Sequence, residues 1–271
     1  MIREISIWST LEHPNVLPFL GLSVQPDLRV PYLVSPWESY GNVMKYLESH
    51  EDADRAHLIR GVADGLIYLH DKGVVHGDIK GANILVASDG HPVLADFGLS
   101  VIDSQNTQGQ TTSQTFAGSA RWMAPERLVP DEYGLSGRTS RTPASDVYSF
   151  GLTIYEIYSG RVPFYGLGNI EASMAAVGGK RPPHPGDDAT RRGLTPRLWT
   201  YITRCWEAQP ASRPGLADLA QYLDPSSDVH EVAQLMANAH VAATPPPAYA
   251  PLPPRQHAFE VYEYVHLHAT L

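Results

Sequence analysis

The sequence predicts an α+β fold in which a small N-terminal part, made of one helix and a short strand pair, precedes a mostly helical C-terminal part. Apolar residues recur every three or four positions in several long segments, which is typical of amphipathic helices. Short β-leaning apolar runs, by contrast, lie near the start, in "VLPFLGL" and "PYLVSP". With 271 residues, of which 43% are apolar and 18% charged, the chain has the composition of an ordinary globular protein.

The N-terminal part, residues 1–37, is expected to begin with a helix because Ile2, Ile5 and Leu11 lie at helical spacing. The helix should stop at "EHPN", since the residue before a proline avoids the α region. The two apolar runs that follow are separated by the polar "SVQPDLR", and this pattern predicts a β-hairpin.

The C-terminal part, residues 38–223, contains further helical patterns and a second hairpin. A helix with one apolar face is predicted between Ala53 and Leu69. The segment "SDVYSFGLTIYEIYSG" is apolar nearly all round, which predicts a central buried helix, and "PRLWTYITRCWEA" and "GLADLAQYL" predict two more. In "ILVASDGHPVLA", two short strands flank Asp89 and Gly90, which are favoured at tight turns.

The last residues, 224–271, are predicted to form a Pro-rich C-terminal tail outside the compact domain. The segment "PPPAYAPLPP" cannot continue a helix or a sheet and predicts a polyproline II linker. Such a segment could dock in the aromatic groove of a partner domain, and a passive linker is the alternative.

The composition excludes several classes of partner. Twenty basic and 29 acidic side chains leave a net charge of -9, which argues against nucleic acid and against an anionic membrane. The single cysteine, Cys205, excludes an internal disulfide and is expected to pack beside Trp206. The start "MIREISIWST" lacks the apolar run of a signal peptide, and no apolar stretch is long enough to span a membrane. The sequence therefore predicts an intracellular, cytoplasmic protein.

The segment "VVHGDIKGANIL", residues 74–85, brings together an acid, a base and an amide. Phosphoryl transfer uses such groups, because its loose transition state is stabilised mainly by positioning and electrostatics. Asp78 would accept or orient the proton of a hydroxyl, Lys80 would contact the transferring phosphate, and Asn83 would bind Mg²⁺ through its amide oxygen. A second metal ligand is expected at Asp96, which follows the strand "PVLA" and would be carried back over the loop by the hairpin.

In order along the chain, "HGDIKGAN", "DFG", "RWMAPE" and "SDVYSFG" resemble the catalytic loop, metal loop, activation-segment end and central helix of eukaryotic protein kinases. The resemblance is closest to the tyrosine-kinase-like serine/threonine group and covers residues 1–223. It implies ATP and Mg²⁺ as cofactors and protein substrates as partners. Transfer to serine and threonine is implied by Lys80, two positions after Asp78, and by Ser119, which stands where a threonine reaching toward both is expected.

The resemblance also implies structural roles outside the catalytic loop. Asp146 would hold the backbone of that loop, and Glu126 would pair with Arg213 in "ASRP". A regulatory column of packed side chains would be formed by Trp8, Phe19, His76 and Phe97. Side chains of these types also pack in the cores of unrelated proteins. The role of these residues is therefore structural whether or not the chain is a kinase.

By the same register, "LVSPWESYGN" is the hinge that borders adenine. Ser35 takes the gatekeeper position, while the Pro36 carbonyl and the Glu38 backbone would supply the adenine hydrogen bonds. Proline is tolerated there because only its carbonyl is needed. Leu85 would form the floor of the adenine pocket. The alternative for this segment is a plain edge strand that runs into a loop.

One departure from the resemblance lies beside the catalytic aspartate, where family members commonly carry an arginine that grips an activation-loop phosphate. Here the residue is Gly77, and no lysine or arginine lies between Asp96 and Arg121. The nearest candidate cations in the sequence are Arg3 and Arg121. The segment between Asp96 and Arg121 is therefore expected to be a solvated loop, and not one that is switched by phosphorylation of its threonines.

The other departure concerns the upper lobe. Glu4 is by register the helix acid that pairs with an upper-lobe lysine, yet no "VAIK" and no "GxGxxG" occurs in the sequence. The N-terminal lobe is therefore expected to be truncated, and Glu4 could equally be an acid favoured at a helix N-terminus. A catalytic serine/threonine kinase and a pseudokinase that acts as a binding or scaffold module both stay open. An unrelated helical interaction protein would make every motif a coincidence.

Overall fold

The computed structural model describes residues 8–24, 31–96 and 118–224, and this part of the chain is mostly helical. Its α-helices are α1 (Val43–Ser49), α2 (Arg55–Asp71), α3 (Pro125–Leu128), α4 (Pro143–Ser159), α5 (Asn169–Val177), α6 (Asp187–Arg191), α7 (Pro196–Cys205) and α8 (Leu219–Leu223). Its strands are β1 (Gly21–Val24), β2 (Pro31–Val34), β3 (Ile84–Val86) and β4 (Pro92–Leu94). The α+β prediction, with a mostly helical C-terminal part, is confirmed.

The strands form two antiparallel pairs, as the sequence predicts. β1 pairs with β2, with Gly21 opposite Val34, and β3 pairs with β4, with Ile84 opposite Leu94. The turn of the second pair contains Gly90 at a φ of 87°, a backbone conformation that favours glycine. The turn predicted from the Asp-Gly pair is therefore confirmed.

The first strand begins later than "VLPFLGL" predicts, at Gly21 instead of Val16. Pro18 interrupts the run because proline has no N–H to donate to a strand ladder. Val16 instead forms an isolated parallel bridge with Leu94 at the end of β4. This bridge ties the N-terminal segment to the hairpin that leads to the predicted metal ligand.

Helix α2 confirms the amphipathic helix predicted from residue 53 onward. It begins at Arg55 because Asp54 is its N-cap, where the Asp54 side chain accepts a hydrogen bond from the N–H of His57 at 2.9 Å. The predicted apolar face is buried, and its side chains are Leu58, Val62, Leu66 and Leu69. Strand β4 packs against this helix, so the second hairpin rests on a rigid support.

Helix α4 is the central helix that the long apolar run predicts, and residues 145–158 are all buried. It crosses α7 so closely that a Cβ on Gly151 would lie 2.5 Å from the Cβ of Cys205, so only glycine fits there. Cys205 is itself fully buried, and burial raises the pKa of its thiol. The predicted packing role of this cysteine is confirmed.

Four short helices, α1, α3, α5 and α6, have no counterpart among the sequence predictions. Helices this short gain their stability mainly from tertiary packing rather than from propensity. Helix α1, for example, begins after Asn42, whose side chain accepts from the N–H of Lys45 at 3.0 Å, and it buries only Val43 and Leu47. The helix predicted from "GLADLAQYL" is also shorter than expected and begins at Leu219.

A buried ion pair joins α3 to the segment before α8. Arg213 donates from Nη1 and Nη2 to the two carboxylate oxygens of Glu126 at 2.6 and 2.8 Å, and both side chains are 1% exposed. Arg213 also donates to the carbonyl oxygens of Ala144 at 2.9 Å and Glu207 at 3.0 Å. The pairing that the kinase resemblance implies is confirmed, and it connects three segments that are distant in the sequence.

Removing one partner of this ion pair should destabilise the domain strongly. We expect Glu126→Gln or Arg213→Met to lower the free energy of unfolding by about 3–5 kcal/mol, because one buried charge would be left uncompensated. Urea unfolding followed by circular dichroism measures the loss. Arg191→Met is the control, since Arg191 pairs with Asp188 where both side chains are 71% exposed. Such a surface pair contributes about 0–1 kcal/mol, and equal losses in the two cases would contradict the prediction.

Candidate active site

The carboxylate of Asp146 in α4 holds the predicted catalytic loop. Its Oδ2 accepts from the N–H of His76 at 2.9 Å, and its Oδ1 accepts from the N–H of Gly77 at 2.8 Å. His70 Nε2 also lies 2.9 Å from Oδ2. Burial tends to raise the pKa of Asp146, but the hydrogen bond and charge of His70 and the Gly77 N–H lower it overall. The role of Asp146 in holding the loop backbone is confirmed.

His76 joins the catalytic loop to the end of β4. Its Nε2 donates to the carbonyl oxygen of Ala95 at 3.0 Å, and its Nδ1 accepts from the N–H of Asp78 at 3.3 Å. The ring must be neutral for Nδ1 to accept, and burial lowers the pKa of this fully buried histidine. His76 therefore sets the spacing between the backbone of Asp78 and the residue that precedes Asp96.

Asp78, Lys80 and Asn83 form one hydrogen-bonded cluster. Asp78 Oδ2 accepts from Lys80 Nζ at 2.8 Å and from Asn83 Nδ2 at 2.9 Å. Lys80 Nζ also donates to Ser119 Oγ at 2.7 Å, so the contact that the resemblance implies for Ser119 is confirmed. The bonds from Lys80 and Asn83 both reach Oδ2, so the second oxygen of Asp78, Oδ1, can accept from a ligand.

A short 3-10 turn, Gly81–Asn83, directs the side chain of Asn83 back toward Asp78. The Asn83 carbonyl accepts from the N–H of Ala95 at 2.9 Å, which brings the residue before Asp96 against the catalytic loop. Asp96 is exposed and has a φ of 63°, a left-handed conformation that is uncommon outside glycine. Backbone strain of this kind is concentrated at functional sites.

Asn83 and Asp96, the predicted Mg²⁺ ligands, both carry oxygen donors. Asn83 directs its Nδ2 at the carbonyl and carboxylate of Asp78, at 2.8 and 2.9 Å, so its Oδ1 is the atom available to a cation. Asp96 has an exposed side chain and directly follows Ala95, whose N–H donates to the Asn83 carbonyl at 2.9 Å. Mg²⁺ in phosphoryl-transfer sites is typically bound by one or two carboxylates together with substrate phosphates and water.

The predicted hinge begins within β2, at Leu33, and Ser35, Pro36 and Glu38, which follow the strand, are all half-buried. The Glu38 carbonyl accepts from the N–H of Gly41 at 3.1 Å, so the backbone group of Glu38 that is left for a ligand is its N–H. The Ser35 hydroxyl points toward the carbonyl of Pro36 at 3.4 Å, a long contact that leaves this carbonyl able to accept from a ligand. The adenine contacts of these residues stay a prediction.

Leu85, the predicted floor of the adenine pocket, lies at the centre of β3. Its neighbours Ile84 and Val86 are 0% exposed, whereas Leu85 is half-buried, because alternate residues of a strand face opposite sides. Leu85 also forms an isolated antiparallel bridge with Asn42, the last residue of the predicted hinge. The strand therefore runs beside the hinge segment, and the role of Leu85 as a pocket floor stays a prediction.

Arg121, a candidate cation for a loop phosphate, is engaged in other contacts. Its guanidinium donates to Asn169 Oδ1 at 2.8 Å and to the carbonyl oxygens of Pro163 at 3.1 Å and Phe164 at 3.2 Å. It also donates to the carbonyl oxygen of Leu167. These bonds fix the segment before α5, and they weaken the case for Arg121 as a phosphate ligand.

One buried acid at the site has no counterpart among the sequence predictions. Glu156 on α4 accepts at Oε2 from the N–H of Gly81 at 2.9 Å and from Trp122 Nε1 at 3.0 Å. It thereby joins the catalytic loop to the segment that carries Ser119. Burial raises the pKa of Glu156 to about 7. A lone acid within an apolar stretch of a helix is the sequence signal that indicates such a residue.

Some predictions concern residues outside the described part of the chain. These are the start of the N-terminal helix, the roles of Glu4 and Phe97, the behaviour of the threonines between Asp96 and Arg121, and the linker or docking role of the Pro-rich tail. Of the predicted column, Trp8 and Phe19 are in contact, with ring centroids 5.2 Å apart. The described helices include none that combines the length and apolarity needed to cross a bilayer. The domain boundary at residue 223 and the cytoplasmic location stay predictions.

In this helical lobe the central helix holds a loop that carries an acid, a lysine and an asparagine. A hairpin beside the loop leads to a second acid. This arrangement is that of a protein kinase domain. Comparison with known families agrees with this assignment. The model of the family described as "Protein tyrosine and serine/threonine kinase" matches residues 1–223, and the chain belongs to this family.

Curated relatives of this chain are protein kinases from several organisms. "Serine/threonine/tyrosine-protein kinase HT1" of Arabidopsis thaliana is 30% identical over 248 residues, which cover 89% of this chain and 58% of HT1. "Mitogen-activated protein kinase kinase kinase 5" of the same plant is 32% identical over 226 residues, 81% of this chain and 29% of that protein. "Serine/threonine-protein kinase STY17", also from Arabidopsis thaliana, is 29% identical over 230 residues, 82% of this chain and 36% of that protein. The chain thus spans only part of the length of each relative.

The buried carboxyl of Glu156 should make stability depend on pH. Its pKa is raised from 4.5 to about 7 in the folded state, so between these values the folded protein holds a proton that the unfolded chain releases. The free energy of unfolding should therefore fall as the pH rises through this window. Glu156→Gln keeps an acceptor for both N–H groups but cannot ionise, so this fall should be smaller in the variant. Urea unfolding at several pH values across the window measures the difference.

Glu207→Gln provides the matched control, because Glu207 has an exposed side chain and undergoes the same chemical change. We expect the pH dependence of this control to follow the unmodified chain. An identical pH dependence for Glu156→Gln and the unmodified chain would show that Glu156 does not hold its proton in the folded state.

Proposed function

We propose that this chain transfers the γ-phosphate of ATP to serine and threonine hydroxyls of protein substrates. The observation that carries the proposal is the position of Lys80 Nζ, 2.8 Å from Asp78 Oδ2 and 2.7 Å from Ser119 Oγ. These bonds hold Asp78 as a proton acceptor, Lys80 as a cation, and Ser119 in one preorganised cluster. Phosphoryl transfer depends on this kind of positioning and charge stabilisation.

Asp78 is the proposed catalytic residue for the attacking hydroxyl. With Oδ2 held by Lys80 and Asn83, Oδ1 accepts the hydrogen bond of the hydroxyl and directs its oxygen toward the γ-phosphorus. The oxygen–phosphorus bond forms as the bond to the β-phosphate oxygen breaks, and the hydroxyl proton passes to the carboxylate. The products are a phosphorylated protein and ADP, and the proton then leaves Asp78 for solvent.

Lys80 stabilises the negative charge of the phosphoryl group during transfer. Its ammonium group has three N–H donors, of which two go to Asp78 and Ser119, so the third can donate to a phosphate oxygen while those bonds persist. A positive charge that is held in place before the reaction costs no reorganisation when negative charge develops.

Asn83 and Asp96 are the proposed Mg²⁺ ligands, through the amide oxygen and the carboxylate. Mg²⁺, when bound, neutralises phosphate oxygens of ATP. The same Asn83 side chain holds Asp78 through Nδ2, so the residue that binds the cation also orients the catalytic acid. Both ligand atoms are hard oxygen donors of the kind that Mg²⁺ prefers.

The hinge is the proposed adenine site. The Pro36 carbonyl accepts from the adenine amino group, the Glu38 N–H donates to a ring nitrogen, and Ser35 limits the depth of the pocket. Leu85 packs against the ring from the side of the catalytic loop. A small gatekeeper such as serine leaves room behind the adenine, so the site should also admit larger adenine analogues. Glu4 is the proposed partner of a phosphate-anchoring lysine.

Preference for serine and threonine over tyrosine is proposed from Lys80 and Ser119. Lys80 lies between Asp78 and Ser119, as expected for kinases of serine and threonine. The relative HT1 is named a serine/threonine/tyrosine kinase, so tyrosine is the competing acceptor to test. Phosphoamino-acid analysis of a labelled protein substrate distinguishes the two.

A pseudokinase that acts as a binding or scaffold module is the second candidate function. The observation that favours it is Gly77, which replaces the arginine that family members commonly place before the catalytic aspartate. A pseudokinase would bind a partner protein or a nucleotide through the surface that carries the catalytic loop, without transferring phosphate.

Phosphate transfer should depend on the two proposed acidic groups. We expect Asp78→Asn and Asp96→Asn each to lower the rate on the order of a thousand-fold, because each removes a preorganised group that stabilises the reaction. Transfer of radiolabelled phosphate from ATP to a generic protein substrate should be measured for residues 1–271. It should also be measured for a form carrying the upstream kinase sequence of a relative such as HT1.

Asp64→Asn is the control for these variants, since Asp64 is an exposed acid on α2 and undergoes the same chemical change. Transfer that persists in Asp78→Asn would contradict the proposed role of Asp78. An extended form that binds ATP and partner proteins but transfers no phosphate would favour the pseudokinase.

A further inference from the structure

Arg127, in α3, donates a hydrogen bond into the catalytic loop from a distant part of the chain. Its Nη1 lies 2.6 Å from the carbonyl oxygen of Gly77, the residue before Asp78, across 50 positions of sequence. Helix α3 follows closely after the segment that carries Ser119. Neither the kinase motifs nor the mechanism proposed above assigns a role to Arg127.

The peptide group between Gly77 and Asp78 is held at both of its polar ends. Its carbonyl oxygen accepts from Arg127 at 2.6 Å, and its N–H donates to His76 Nδ1 at 3.3 Å. The N–H of Gly77 itself donates to Asp146 Oδ1 at 2.8 Å. Because a peptide group is planar, its orientation determines where the Cα and the side chain of Asp78 point.

Gly77 makes this orientation depend on outside contacts. It has a φ of 79°, and glycine populates positive and negative φ about equally, so the residue itself does not hold the loop in one conformation. Contacts to the peptide group must therefore hold the backbone that leads into Asp78. Arg127 supplies the contact to the carbonyl, and Asp146 and His76 supply those to the two N–H groups.

Arg127 carries its charge at neutral pH although it is surrounded by protein. Burial lowers the pKa of Arg127 to about 10, Arg141 lowers it as well, and Asp146 and Asp78 oppose both effects. A pKa of about 10 still keeps the guanidinium protonated at pH 7. Its bond to the Gly77 carbonyl is therefore charge-assisted, and such bonds are roughly twice as strong as neutral ones.

We propose that Arg127 is a positioning residue for phosphoryl transfer, which orients Asp78 through the carbonyl of Gly77. The same bond couples the orientation of Asp78 to α3 and thereby to the segment that carries Ser119. The predicted effect of Arg127 on the rate of phosphate transfer rests on the function proposed above. The structural consequence, a less protected catalytic loop when Arg127 is replaced, can be measured without any catalysis.

The test uses Arg127→Met, Arg127→Lys and a matched control. Methionine keeps much of the side-chain volume but cannot donate a hydrogen bond, while lysine keeps a charged donor without the planar guanidinium. Arg192→Met is the control, because Arg192 Nη1 also donates to one backbone carbonyl, that of Tyr158, at 3.1 Å and away from the catalytic loop. Amide hydrogen exchange by mass spectrometry reports on residues 74–85 and, for comparison, on residues 196–205 of α7.

We expect Arg127→Met to speed amide exchange in residues 74–85 by about tenfold or more, with exchange in residues 196–205 unchanged. In the phosphate-transfer assay, kcat should fall about a hundredfold while KM for ATP and for the protein substrate stays the same. Arg127→Lys should recover at least part of both effects. Arg192→Met should change neither the exchange of residues 74–85 nor kcat.

Unchanged exchange in residues 74–85 of Arg127→Met would overturn the proposal. So would exchange that rises equally in residues 74–85 and 196–205, since this would show a general loss of stability rather than a role in the loop. If Arg127→Met does not fold, Arg127→Gln, which loses the charge and the guanidinium but keeps a polar side chain, is judged by the same comparison. If the unmodified chain transfers no phosphate, the proposed function fails, and the exchange measurement alone still decides whether Arg127 holds the loop.

Discussion

The buried carboxylate of Asp146 is the contact on which the arrangement of the site depends. Its two oxygens accept from the N–H groups of His76 and Gly77, at 2.9 and 2.8 Å, and thereby hold the start of the catalytic loop on the central helix α4. Desolvating this charge is costly, and hydrogen bonds to both oxygens offset the cost. The loop therefore takes its position from a helix in which residues 145–158 are all buried.

A second buried acid of α4 holds the other end of the catalytic loop. Glu156 accepts from Gly81 and Trp122, so one rigid helix holds the loop at two points and also holds the segment that carries Ser119. The hairpin is fixed separately, through the bond from His76 to the Ala95 carbonyl. Asp78 and Asp96 thus belong to different elements. His76 contacts the backbone of Asp78 and of the residue before Asp96, and so fixes the position of one relative to the other.

Much of this fold could be predicted because its signals are local. Helix α2 has an apolar face at a regular spacing, α4 has a continuous apolar run, and the β3–β4 hairpin has an Asp-Gly turn. The start of β1 and the short helices could not be predicted. Pro18 shifts the strand, and a helix of a few residues has too little propensity of its own to be recognised without the core that it packs against.

By itself the sequence determined which chemical groups stand at the site, since Asp78, Lys80 and Asn83 lie in one short loop and supply a carboxylate, a cation and an amide. Only the tertiary structure decided which distant groups complete it. Lys80 meets Ser119 across 39 positions, and Arg127 meets the Gly77 carbonyl across 50. Such contacts depend on how α3 and α4 pack beneath the loop, and no local pattern of residues encodes that packing.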